Sequence, residues 1–418
     1  MSSPLDSPGP VESRRVVITQ SSLFSIGGSE MVAFELAEYF SSLGDDVMVI
    51  TYGFGRDWAD DLEALNGVIV MRFDDPDLDR ALLEFDPTIV WVHHEIVPAV
   101  LMRAPQGIKF VFHHMSITHP MEFPIARRLE LALASAIVFV SPEALEAQVA
   151  SGTLDGVPSE NLRVFGNPAP RRFLRSIEPR EQITSILLVS NHAPGELSEA
   201  LGQMSSTWDV VSVGANTELD SRIRRIEPSD FDNADAVITI GKTVQFALVT
   251  GTPVYCYDHF GGPGWLTESN FPTARFHNFS GRGFEKKSPA LIREELVNGY
   301  PAARQFARGF QQQHADEYRL DIVMETLLES VSAHNGAVID DADITSHQWE
   351  MELRNGLINT IEARSQTIEH LSVQLALASA ERDELRRAAQ AGPSFSQRLS
   401  SHLRRAIQPQ NQPSGPTR

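Results

Sequence analysis

The stretch Val16–Thr51, VVITQSSLFSIGGSEMVAFELAEYFSSLGDDVMVIT, decides how the rest of the chain is read. In order it holds a β-branched run (Val16–Thr19), a turn with paired glycines (Gly27 and Gly28), a helical stretch and a second apolar run (Val47–Thr51). Val32, Leu36, Phe40 and Leu43 recur at helical spacing. That predicts a helix from about Glu30 to Leu43, stopped by Gly44. Strand, turn, helix and strand make one βα unit of a parallel sheet. N–H groups at a helix start lack intrahelical partners, and with the helix dipole they form a site for phosphate. Paired glycines let an anion approach the backbone closely. The alternative is a plain βα turn with Ser29 as its cap.

The same alternation continues in both directions along the chain. Val68–Met71, Ile89–Val92, Lys109–Phe112, Ile137–Val140 and Leu162–Phe165 are apolar on both faces, as buried parallel strands are. A stretch rich in proline and arginine (169–182) reads as a linker. A second series follows at Ile186–Val189, Val210–Val213, Ala236–Ile240 and Val254–Tyr257, closed by a long helical region from about Ala302 to Val331. Two such series predict two doubly wound α/β domains, 14–172 and 183–332, facing each other across a cleft. Residues 1–13 read as a disordered tail and 332–345 as a second linker.

In 346–390, Ile361, Ile368 and Leu375 repeat every seven residues, and Leu371, Ala378 and Leu385 do so offset by three. Leu357 extends the seam backward, and Arg364 and Arg382 interrupt it. This predicts a coiled-coil helix and a homo-oligomer, the alternative being a single amphipathic helix on the body. In 391–418, Phe395, Leu399, Leu403 and Ile407 form a stripe flanked by Arg398, Arg404 and Arg405, with no acid. Two readings stand for this tail. It is a basic amphipathic segment that attaches through 394–407 to an anionic membrane surface, or it folds nowhere.

Composition narrows the function. The chain has 418 residues and a net charge of −20, which repels a phosphate backbone, so nucleic acid is not an expected partner. Cys256 is the only cysteine, so neither an intrachain disulfide nor a cysteine zinc cage can form. The sequence has no apolar run of about 18 residues and no signal-peptide h-region, so a cytoplasmic location is expected, peripheral at the inner membrane face if the tail attaches. Gly241-Lys242-Thr243 is not a P-loop, because the glycine required five positions earlier is Ala236. His94-Glu95 is not a zinc HExxH motif, because position 98 is Pro98. Asp75, Asp77 and Asp79 read as a solvated loop and helix start rather than a metal site.

Several further stretches carry a resemblance. GGSE (27–30) with its helix and strand, IVWVHHE (89–95), FVFHHMS (110–116), IVFVSPEALEA (137–147) and LRVFGNPAP (162–170) together resemble glycosyltransferase family 4. The resemblance implies a GT-B fold, a nucleotide-sugar donor in the cleft, no cofactor, no essential metal and retention of anomeric configuration. It further implies that Gly27 and Gly28 face the donor diphosphate and that His113, with His114 beside it, touches the donor sugar. A histidine at the C-terminal end of a parallel strand lies where such folds place ligands, although each of His93, His94, His113 and His114 can equally be a packing residue. GTPVYCYDHFGGPGWL (251–266) is similar to the family's later strand and glycine loop. The family's glutamate pair falls on Ile238 and Phe246, and VSNHAPGEL (189–197) lacks its Arg and Lys. Candidate donor-binding groups in their place are Lys242, Thr243, Gln245 and Arg282. The leading expectation is a glycosyltransferase acting on a surface-polysaccharide or glycolipid acceptor. Its rivals are a non-catalytic scaffold of the same fold and a sugar-nucleotide epimerase.

Overall fold

The computed structural model describes residues 13–117, 119, 122, 127–215, 221–336 and 339–390. The tail segment 394–407 and the first twelve residues lie outside them. The chain divides into two compact units, 1–355 and 356–418.

The first unit is built on two sheets. Strands β1 (Arg15–Leu23), β2 (Asp46–Phe54), β3 (Val68–Arg72), β4 (Ile89–His93), β5 (Lys109–His114), β6 (Ala136–Phe139) and β7 (Leu162–Val164) form a parallel sheet in the order β3-β2-β1-β4-β5-β6-β7. Strands β8 (Ser185–Val189), β9 (Asp209–Val213), β10 (Ser221–Arg222), β11 (Ala236–Thr239), β12 (Val254–Asp258) and β13 (Gly261–Trp265) form the second, in the order β10-β9-β8-β11-β12-β13. Among the described strands, only β13 runs antiparallel to its neighbour.

Both faces of the first sheet are covered. Val16, Ile18, Val47, Val49 and Trp91 pack under the helix Gly28–Ser42, and Val17, Met48, Val90, Phe110 and Phe112 pack on the opposite side. Alternation along each strand divides these residues between two cores, which is why the runs carry almost no polar residue.

The helical region expected from Ala302 to Val331 is three pieces, Tyr300–His314, a 3-10 turn Ala315–Tyr318 and Leu320–Ser330. The last piece packs Leu320, Met324 and Leu327 onto the first domain, not the second. The chain therefore crosses between domains twice, and the crossings run side by side: Ala169 N–H donates to Tyr318 O at 2.7 Å and Leu320 N–H to Ala169 O at 2.9 Å.

Part of the expected linker 332–345 also lies on the first domain, with Gly107 donating to His334 O and His334 to Ile108 O. The final helix spans Asp341–Gln390 and starts earlier than the heptads suggest. Ile344, His347, Met351 and Arg354 are buried on the first domain. In the second unit Leu357, Ile368, Leu371, Leu375 and Leu385 are all more than half exposed. Among the described residues, no helix is long and apolar enough to cross a membrane.

Candidate active site

In doubly wound sheets ligands bind beyond the C-terminal strand ends, where the strand order reverses. The reversals lie between β1 and β4 and between β8 and β11. The loops leaving β1, β8 and β11 meet at a cleft of about 360 Å³. Gly27, Gly28 and Met31 line one side of it, and Asn191, His192, Gly214, Arg224, Gly241, Lys242 and Thr243 the other.

Two helices start there. Gly27 is the N-cap of Gly28–Ser42 and supplies no side-chain cap. Ser29, the cap in the plain-turn reading, instead donates to Glu30 Oε2 at 2.9 Å and accepts from Gln20 Nε2 at 3.2 Å. A Cβ on Gly27 would stand 2.5 Å from Glu30 Oε2, whereas one on Gly28 would meet nothing within 4 Å. The cleft is thus open at Gly28. Gly241, at φ +57°, caps the helix Lys242–Thr250, again with no side-chain cap. Helix starts from two domains point unbonded N–H groups and positive dipole ends at one cavity, an arrangement suited to a diphosphate.

Of the six expected donor-binding residues, Gly27, Gly28, Lys242 and Thr243 come together in this cleft. Lys242 is only 9% exposed, and its ammonium lies 2.6 Å from Glu35 Oε2 across the domain interface. Burial pulls the Lys242 pKa down and the Glu35 pKa up, each against the pull of the other's charge. Gln245 and Arg282 are not among the lining residues. Gln245 donates to Gly166 O at 3.2 Å, and Arg282 pairs with Glu143 of the first domain, which also meets His277 at 2.8 Å.

His113 and His114 point to opposite faces of the sheet, as consecutive strand residues must. His113 is 1% exposed and accepts at Nδ1 from Trp91 Nε1 at 3.4 Å, with its ring 5.3 Å from that of His93. Burial, then the neighbouring His93 and His114, hold it well below the usual histidine range, so it is neutral. His93 bonds Thr19 O at 2.9 Å, and burial pushes it to about 3.

His114 stacks on Phe139 and meets Glu130 Oε1 at 2.8 Å. Burial opposes its charge, but Glu130, with help from Glu122 and Glu95, outweighs burial and raises its pKa. Buried polar atoms rarely go unpaired. Here Thr19 Oγ1, Gln20 Oε1, His93 Nε2, His113 Nε2, Asn167 Oδ1 and Gln245 Oε1 have no hydrogen-bond partner among the described residues. Thr19 and Gln20 lie within β1, His93 and His113 near the ends of β4 and β5, Asn167 after β7 and Gln245 in the helix Lys242–Thr250, and none of them is among the residues that line the cleft.

Sequence patterns did not disclose Arg354. It donates to His94 O and to Glu95 Oε2, both at 2.7 Å. His94 and Glu95 are both left-handed, at φ +55° and +56°, an uncommon state for side chains of this kind. The signal available was an arginine in phase with the heptads, as Arg364 and Arg382 also are. Glu35 was also missed, although an acid inside the apolar run MVAFELAEYF invites a question about its partner. Among the described residues no group of three His, Cys, Asp or Glu could hold a metal. Asp75 accepts from the Asp77 N–H, and Asp77 pairs with Arg80.

Two doubly wound domains closing on a cleft that both line define a GT-B-type architecture. The family model described as Glycosyltransferase Family 4 matches residues 26–171. A glycosyltransferase from Rickettsia africae is 12% identical, with a TM-score of 0.50 over 76% of this chain and 97% of its own. Anabaena Alr3699/HepE, solved with UDP and glucose, is 15% identical, with a TM-score of 0.50 over 76% of this chain and 99% of its own. None of the curated proteins matches the sequence. Residues 26–171 thus match a family 4 glycosyltransferase model, and the chain shares the GT-B fold of these solved structures.

Proposed function

We propose that the protein transfers a sugar from a nucleoside-diphosphate donor, without a metal and with retention, to a glycan or lipid-linked acceptor in surface-polysaccharide or glycolipid assembly. The observation that carries this reading is the convergence of two uncapped helix starts, at Gly27-Gly28 and Gly241-Lys242, on one cleft between the domains. These donors stabilise charge developing on the leaving diphosphate, and the domains hold donor and acceptor in register. His113, neutral and with Nε2 unbonded, presents a hydrogen-bonding atom to the donor sugar. The UDP in the Anabaena neighbour supports a nucleoside diphosphate as the leaving group. The work is done in the cytoplasm by an oligomer joined through 346–390, with 394–407 attaching it to the inner membrane face.

The test is transfer or hydrolysis of a panel of nucleotide-sugars, with and without chelator. Gly28→Leu fills open cleft, so it should abolish turnover and nucleotide binding and leave the melting temperature unchanged. Turnover that stops with chelator removes the metal-free clause, and full activity of Gly28→Leu removes the site.

A scaffold role is the second reading. It is favoured by Ile238 and Phe246, the positions of the family's glutamates, which are buried and apolar, Phe246 stacking on Phe173 at 4.0 Å. Nucleotide binding without turnover of any donor would decide for it.

A further inference from the structure

Only four of the chain's 35 basic residues are lysines: Lys109, Lys242, Lys286 and Lys287. The one that reaches the cleft is buried and paired with an acid from the other domain. Glu35 stands on the helix Gly28–Ser42 one turn beyond Met31, which lines the cleft, so α-helical spacing puts its carboxylate on the flank facing the second domain. The Lys242 Nζ lies 2.6 Å from Glu35 Oε2 and 3.5 Å from Pro168 O. An ammonium has three N–H donors, so one stays available to a ligand.

We propose that Glu35 is a positioning residue for the donor diphosphate: it fixes the ammonium of Lys242 at the cleft floor from across the domain interface, so the diphosphate meets that cation only when the two domains are closed. This rests on the nucleotide-sugar reading above. The choice of lysine supports it. Arginine stays charged wherever it is put, whereas a buried lysine keeps its proton only if an acid holds it there. Burial pulls Lys242 toward neutrality and Glu35 is the main counterweight. The other groups facing the pair are Arg172, 3.9 Å from Glu35 and bound also to Glu38, with Arg225 and His113 further out. Arg172 works against the Lys242 charge, and among the described residues Glu35 is the one carboxylate paired with Lys242.

Glu35→Gln keeps the shape and removes the charge. With four lysines in the chain, ε-13C-lysine NMR follows Lys242 directly, its signal assigned by its absence in Lys242→Arg. The expected result in Glu35→Gln is a Lys242 titration midpoint lower by about one pH unit or more. UDP affinity by calorimetry should fall about tenfold at about pH 8.5 and return toward the unmodified value near pH 6, where Lys242 regains its proton.

Removing both charges, in Glu35→Gln with Lys242→Met, leaves no uncompensated buried ion, and this protein should fold normally. It should bind UDP weakly and equally at both pH values. An unchanged midpoint and unchanged affinity in Glu35→Gln, or full UDP affinity in the double variant, overturns the role of Glu35 alone. Failure of the unmodified protein to bind UDP, GDP, ADP or TDP overturns the donor reading and this role with it.

Discussion

A neutral imidazole and one biased toward protonation sit side by side in sequence at His113 and His114. The first faces Trp91 and Phe165, and the second faces two carboxylates. Because the folded pKa of His114 lies above its ordinary 6.5, its contribution to stability is complete below that value and is lost as the pH rises through the folded value. Glu130 is shifted the other way. Burial raises it, but His114 and Arg127 lower it further, so its contribution is complete above its ordinary 4.5 and is lost as the pH falls through the folded value. The pair should stabilise most between those two values. His114→Gln should therefore cost about 3 kcal/mol near pH 5.5 and much less at pH 9. Urea unfolding of both proteins across that range measures it, and a pH-independent difference would show that His114 acts by packing alone.

At the scale of elements, the helix Asp341–Gln390 is the least expected component. Its first turns complete the first domain, with Tyr52 Oη donating to Met351 O at 3.2 Å and Arg354 holding the left-handed His94-Glu95 turn. Arg354→Met should cost about 3–5 kcal/mol, because it deprives a buried carboxylate of its cation. Arg354→Lys should recover only part, since an ammonium lacks the fork that reaches both acceptors. Thermal melts decide, and an unchanged melting temperature in Arg354→Met would remove the assigned role.

The parallel strands were legible because strands buried on both faces are written in unbroken Val, Ile and Phe. Strand β13, GGPGW, was not, since nothing in it is β-branched. Periodicity showed that Leu320–Ser330 has an apolar face but could not say which domain that face meets. The glycine turns were legible because chain geometry demands glycine locally. The Lys242–Glu35 contact was not, because its partners are brought together only by the closing of two domains.

For the whole molecule, the second unit carries an exposed apolar seam. Glu381 and Arg386 flank it five positions apart, the spacing that pairs opposite charges between parallel helices. Ile368→Lys with Leu371→Lys should turn a dimer into a monomer while the melting transition of the two-domain body stays in place. Light scattering checks this, and a monomeric unmodified protein would reject it.

The paired crossings at Ala169 and Tyr318–Leu320 have a different consequence, for biosynthesis. The second domain is a guest inserted into a host whose two parts lie on either side of it in the chain. A ribosome releases β1 to β7 first, but Leu320–Ser330 and the turns that carry Ile344, Met351 and Arg354 emerge only after the guest is complete. The nascent host must therefore keep part of both faces of its sheet uncovered through the synthesis of an entire domain, so the domain that begins first is the last to be finished.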